Sequence, residues 1–216
     1  VLLVSTLDTV LYFVGTCTKG RLAVEHAGRL DHGPVYYAGQ TFEDAKGRRI
    51  AFGWLRESRS DAAQEAAGWS GVQSLPRVLS LAADGTVLAE PAGEIETLRQ
   101  EGVRKQDALV QPGADMTLDE ISGRQLELRA QIETTEKGRT GFAVCAAPDS
   151  AEQTLVYYDS IANEVCIDTR TSSAGGDVSK GLHRAPLEAQ PRETVELRVF
   201  VDGSVVEAFV DGRAWV

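Results

Sequence analysis

The stretch Val195-Glu196-Leu197-Arg198-Val199-Phe200-Val201-Asp202-Gly203-Ser204-Val205-Val206-Glu207-Ala208-Phe209-Val210 decides the fold class. Val195, Leu197, Val199 and Val201 alternate with Glu196, Arg198 and Phe200, a period of two that puts an apolar row on one face of a half-buried strand. Asp202-Gly203 separates this run from the next, and Asp211-Gly212 follows that one. Asp-Gly between alternating runs marks a hairpin, because a type I′ turn needs positive φ at both central residues. Upstream, Leu126, Leu128, Ala130 and Ile132 alternate with Glu127, Arg129, Gln131 and Glu133, and Asp84-Gly85 divides residues 78–81 from 86–88. The pattern predicts an all-β chain of antiparallel hairpins.

Composition supports a packed domain and narrows its partners. Of 216 residues, 43% are hydrophobic and 25% charged, enough to bury a sizeable core. The 22 Lys+Arg against 32 Asp+Glu leave a net charge of -10 with no basic cluster, which disfavours nucleic acid and anionic membranes as partners. The longest unbroken apolar run, from Phe142 to Ala147, is far short of the ~18 residues of a membrane-spanning helix. Cys17, Cys145 and Cys166 form no C-x-x-C pair and have no His at ligand spacing, so no metal site is expected. Cys145 and Cys166 fall in strands of one region and are candidates for a bridge, while the odd count leaves the redox compartment, and with it localisation, unassigned. The chain opens on Val1-Leu2-Leu3-Val4 and stops at Ala214-Trp215-Val216 within a strand-like run, the expectation for an interior piece of a longer polypeptide.

Turn chemistry and composition divide the chain into residues 1–90, a connector over 91–103, and a second region over 104–216. Residues 91–100 form the one helical candidate, with Pro91 suited to the first turn and Ile95 and Leu98 on one apolar face. Gly102, the charges through Asp107 and Gln111-Pro112-Gly113 read as a boundary. The later region has the strands and regular turns of a two-sheet sandwich. The first holds two groups of short strands, joined by polar loops such as residues 56–68, with the ~40 to 45 residue spacing of propeller blades.

Unusual residues concentrate in the first region: Asp31-His32-Gly33-Pro34, Tyr36-Tyr37-Ala38-Gly39-Gln40, Gly53-Trp54-Leu55-Arg56-Glu57-Ser58 and Gly68-Trp69-Ser70-Gly71. Aromatic planes beside carboxylates and amides suit a sugar, since rings cover its C–H faces and carboxylates accept from its hydroxyls. The competing account makes Tyr36, Tyr37 and Trp54 packing residues, Asp31 a turn residue and Glu57 a solvated loop charge. Asp31, His32 and Ser58 form no hydrolase triad, because nothing places a base beside a nucleophile.

Leu30-Asp31-His32-Gly33, Tyr37-Ala38-Gly39-Gln40-Thr41-Phe42, Gly53-Trp54 and Gly68-Trp69-Ser70-Gly71-Val72-Gln73-Ser74-Leu75-Pro76-Arg77, followed by the run from Leu197 to Phe209, together resemble glycoside hydrolase family 32, the invertases, levanases and inulinases. The resemblance implies the last two blades of a five-bladed β-propeller followed by a β-sandwich. It also implies retaining hydrolysis of β-fructofuranosyl bonds in sucrose or fructans, with no cofactor and no metal. The family's Asn-Asp-Pro, Arg-Asp-Pro and Glu-Cys motifs, which carry its three carboxylates, are absent from this sequence. The resemblance therefore implies no catalytic residue here, and an inactive isolated chain. By position it makes Asp31 a pocket carboxylate and Tyr37 and Trp54 pocket-lining residues, and it assigns Trp69 and residues 73–77 to blade packing. Two other readings remain: a carbohydrate-binding sandwich without catalysis, and a fructosyltransferase of the same family. Oligomeric state stays open. Residues 1–90 alone are expected to aggregate through exposed blade faces.

Overall fold

A computed structural model describes every residue except 107, 134–136, 188–193, 212 and 216, with residues 213–215 described by backbone alone. The described residues form four antiparallel sheets. Strands β1 (Leu2–Ser5), β2 (Val10–Thr18) and β3 (Arg21–Arg29) follow one another in the first. The second runs β4 (Tyr36–Glu43), β5 (Arg49–Leu55), β7 (Arg77–Leu81), β8 (Val87–Pro91), with the short β6 (Val72–Gln73) also paired to β5. The third consists of β10 (Arg139–Val144), β11 (Thr154–Asp159), β12 (Glu164–Asp168) and β13 (Leu182–Pro186) in sequence order. The fourth has the order β16 (Arg213–Trp215), β15 (Val205–Val210), β14 (Thr194–Asp202), β9 (Gln125–Glu133).

The fourth sheet is buried on both faces along β14 and β15. Val195, Leu197, Val199 and Val201 of β14, with Ala208 and Val210 of β15, pack against Val156, Tyr158, Val165 and Ile167 of the third sheet. The opposite face carries Phe200 and Phe209, which join Val10, Tyr12, Leu30, Tyr36, Leu55, Val87 and Ala89 in a second core. The row that alternation assigns to a polar face is therefore interior at Phe200, Glu207 and Phe209, because another sheet group covers it.

Three hairpin turns occur where Asp-Gly pairs predict them, with differences in detail. Asp202 pairs with Val205, so the loop is Gly203-Ser204, one residue later than the dipeptide suggests, with positive φ at Gly203 but not Ser204. That is the type II′ pattern, which asks for glycine only at the first central position. Between Leu81 and Val87 the loop is longer, with Gly85 at φ +87 and the Asp84 carboxylate accepting from the Thr86 amide at 2.9 Å. At the third, Val210 pairs with Arg213 and Asp211 has φ +45 as a type I′ turn requires, while Gly212 lies outside the described residues.

Residues 56–68, expected to be a polar loop, contain helix α1 (Asp61–Ala67). Ser60 Oγ accepts from the Ala63 amide at its start, and Gly68 closes it at φ +75 with its N–H on the Gln64 and Glu65 carbonyls. None of its residues is buried, so no apolar period marks it in the sequence. The helix expected over 91–100 shrinks to a 3-10 turn over Gly93–Leu98, because Pro91 ends β8 opposite Arg77. There Ile95 packs inward while Leu98 is 78% exposed, so the two do not share a buried face. Cys145 and Cys166 are free thiols, correcting the suggested bridge. Strand β11 runs between β10 and β12, and two strand spacings of ~4.8 Å exceed the ~7 Å Cα limit of a disulfide.

Candidate functional site

The site begins with a distortion of strand β4. Its register against β5 shifts between Tyr37 and Gln40, so that Ala38, at φ +49, and Gly39 both stand opposite Gly53. Such a bulge bends the strand and re-aims the side chains beside it. Tyr36 and Tyr37, consecutive residues in regular register just before it, face opposite sides of the sheet. Tyr36 is buried, and a Cβ on Gly53 would sit 2.3 Å from its ring, so only glycine permits this packing. The Ser74 hydroxyl accepts from the Gly53 amide at 2.9 Å and fixes the same point from β5's other side.

On the outer side, Tyr37 and Trp54 are cross-strand partners with ring centroids 6.5 Å apart, edge to face. Trp54 is 47% exposed, and the Arg56 guanidinium lies 4.8 Å from the Tyr37 ring centroid. The Trp54 indole crosses Gly71, where a Cβ would come within 2.1 Å of Nε1. This pair offers two aromatic surfaces and a cation at a solvent-facing edge, the groups needed to hold a polyol with apolar C–H faces.

Asp31 lies elsewhere. Its side chain is buried, with Oδ1 accepting from the Gly33 amide at 2.8 Å and Oδ2 from Arg77 Nη1 at 2.7 Å. Arg77, fully buried at the start of β7, donates through Nη2 to Glu207 Oε2 at 2.7 Å. Glu207 Oε1 accepts from the Leu75 amide at 2.7 Å. The guanidinium carbon also lies 4.3 Å from the Tyr36 ring centroid and 5.5 Å from that of Phe209. Burial works against the Arg77 charge, but Asp31 and Glu207 outweigh it and hold the group above its ordinary value. Burial likewise pushes the Tyr36 phenol up. The predicted residues are thus split: Tyr37 and Trp54 meet on the exposed face, and Asp31 joins Arg77, Tyr36 and Glu207 behind it.

Two further residues differ from their sequence reading. Glu57 is largely covered rather than solvated: it accepts from Arg59 Nη2 at 2.5 Å and from the Ser58, Arg59 and Gly71 amides. The Arg59 bond, with those amides, pulls its carboxyl down to about 2. Trp69, assigned to packing, is 46% exposed, with the Arg59 guanidinium 4.0 Å from its ring centroid. The loop before β13 braces this segment through an Arg59–Val178 bridge and bonds from the Ser60 amide to Asp177 and from the Ser179 amide to Ser58.

Comparison with known proteins places this geometry. Residues 3–91 match the family model described as the glycosyl hydrolases family 32 N-terminal domain, and residues 94–216 the one described as the family 32 C terminal. An acid beta-fructofuranosidase of Vicia faba is 30% identical over 85% of the chain and 34% of that protein's length, and a fructan 1-exohydrolase of Aegilops speltoides 29% over 85% and 37%. The chain thus spans about a third of the length of the curated relatives it matches. Among solved structures, fructan 1-exohydrolase IIa of Cichorium intybus, crystallised with 1-kestose, superposes with a TM-score of 0.83 at 24% identity over 97% of this chain and 48% of that one.

Proposed function

The chain belongs to glycosyl hydrolases family 32, and from that membership we propose that it is part of a retaining β-fructofuranosidase acting on sucrose or fructans, contributing one wall of the fructosyl pocket. Its first two sheets, residues 1–90, are the last two blades of a propeller, residues 91–103 a connector, and residues 104–216 a β-sandwich. Tyr37 and Trp54 contact the sugar, and Asp31 is the charged group at the back of that wall. The catalytic carboxylates are supplied by residues outside this sequence, and the observation that carries this is the absence of the three motifs that hold them in the family.

In the retaining reaction one carboxylate attacks the anomeric carbon while an acid protonates the leaving oxygen, and that acid then activates water. This chain's part is positional. The Trp54 and Tyr37 rings cover the apolar sugar faces and shield the reacting centre from bulk water. Arg56, held by the Leu7 and Pro34 carbonyls, backs the Tyr37 ring at the rim.

The binding-module alternative draws less support. Of its aromatics, Tyr157, Tyr158, Phe200 and Phe209 are buried and Phe142 packs against the core, which leaves no aromatic platform among these five, while the Trp215 side chain lies outside the described residues. The deciding experiment measures fructose release from sucrose and inulin by the 216-residue chain and by the same chain extended to include the three motifs. Turnover by the extended form alone supports the proposal; turnover by the short form refutes the placement of the carboxylates. In the extended form, Trp54→Ala is expected to raise KM about tenfold, a loss of ~1.4 kcal/mol of binding, with little change in thermal stability.

A further inference from the structure

We infer that Glu207, on strand β15, is a positioning residue for the Tyr37–Trp54 wall, which it holds in place through Arg77 and Leu75. The inference rests on the reading of that wall as a sugar site. The Arg77 guanidinium is fully buried, its Nε has no hydrogen-bond partner, and its two terminal nitrogens are held by two carboxylates, Asp31 and Glu207. Its place over the Tyr36 ring is therefore set by a balance between a residue of the first sheets and one of the fourth. Remove the Glu207 charge and the balance tips toward Asp31.

Two physical routes lead from Glu207 to the wall. The first passes through Arg77 to Tyr36, whose ring is in contact range of Gly53 and whose hydroxyl lies 3.2 Å from the position of a Cβ on Gly39. Gly53 precedes Trp54, and Gly39 belongs to the bulge that follows Tyr37. The second passes through the Leu75 amide, which Glu207 Oε1 accepts, to the neighbouring Ser74, whose hydroxyl holds the Gly53 amide. Gln73, next along, is the ladder partner of Trp54. Both routes end at the backbone of Trp54, and both begin at one carboxylate 130 residues beyond Arg77 and 132 beyond Leu75 in sequence. The fourth sheet thus contributes to a site whose contact residues all lie in the second.

The test uses the 216-residue chain, comparing Glu207→Gln with the unmutated protein. Gln keeps the shape and an acceptor for Leu75 but removes the charge opposing Arg77. Amide and indole resonances are followed by heteronuclear NMR, and 1-kestose is titrated into the chain extended to include the three motifs, with and without the same substitution. Arg99→Gln, which breaks the surface Arg99–Glu127 pair linking the connector to β9, is the control. Glu207→Gln is expected to move the Gly33 and Gly53 amides and the Trp54 indole N–H, and to weaken 1-kestose binding about tenfold, while the control moves none of them. If Glu207→Gln lowers the melting temperature and shifts Leu75 but leaves Gly53 and Trp54 in place, Glu207 is only a structural stitch and the inference fails. Should Glu207→Gln not fold, Glu207→Asp keeps the charge with shorter reach, and the same resonances decide with smaller shifts. Lack of any 1-kestose response in the extended form counts against the sugar-site reading, and the resonances of the 216-residue chain still decide the positioning role.

Discussion

Two arginine–carboxylate assemblies flank the candidate site, and they differ in nearly every respect. In the α1 segment, Arg59 pairs with Glu57 two residues away, at a half-open surface, and the pair organises its own loop. Behind the second sheet, Arg77 bridges Asp31 and Glu207, 46 and 130 residues distant, with all three buried. The local pair shapes a short segment and is tolerant of loss. The buried trio joins distant parts of the chain, and losing one member strands charge where water cannot reach it.

The largest expected effect comes from breaking the buried trio at its centre. Arg77→Met leaves the Asp31 and Glu207 carboxylates facing each other without a cation and should cost about 3–5 kcal/mol, read from denaturant melts. Arg59→Met should leave the global melt almost unchanged, while amide exchange quickens over residues 57–71. Equal losses for the two variants would erase the distinction drawn between them.

A smaller effect is expected where the trio meets the sheet. Gly53→Ala drives a methyl into the Tyr36 ring and should destabilise by about 1–3 kcal/mol, with a change in Trp54 fluorescence. An unchanged melt would show that Tyr36 can yield, and that the Gly53 contact transmits little.

The smallest effect is one of pH, confined to the α1 segment. The Glu57 carboxyl, pulled down to about 2 from an ordinary 4.5, favours the folded segment while ionised. Its contribution is present in full above pH 4.5 and is lost as pH falls toward 2. Protection of the Ser58 and Gly71 amides, taken relative to their intrinsic exchange rate at each pH, should therefore fall over that window in the native chain and stay constant there in Glu57→Gln. A pH-independent native profile would mean that Arg59 does not hold the carboxylate in solution.

What the sequence reveals of this molecule follows from what periodicity can carry. The all-β character and the three hairpins are legible, because alternation and Asp-Gly pairs are local signals. Helix α1 is hidden, since a helix held by Ser60 and Gly68 with no buried side chain leaves no apolar stripe. The second face of β14 and β15 is hidden for another reason. Alternation with Glu196 and Arg198 makes Phe200 look solvent-facing, and only the covering sheets make it core. Phe200, Glu207 and Phe209 together on a nominally polar row were the available signal. Tyr37 and Trp54 can be picked out as candidates, but the placing of Asp31 on the opposite side, with Tyr36, depends on its bond to Arg77 46 residues away, which no local pattern announces.

The double burial of β14 and β15 also bears on how the chain is made. Tyr36, Leu55 and Arg77 emerge from the ribosome well before Phe200, Glu207 and Phe209, the residues that complete their core. At ~5–20 residues per second, the interval between Arg77 and Glu207 is on the order of ten seconds. Throughout it Arg77 has only one of its two carboxylate partners, Asp31, and the second sheet keeps an open apolar face. Premature release, or a stop codon before residue 194, would leave a nascent chain whose early sheets have no surface against which to close.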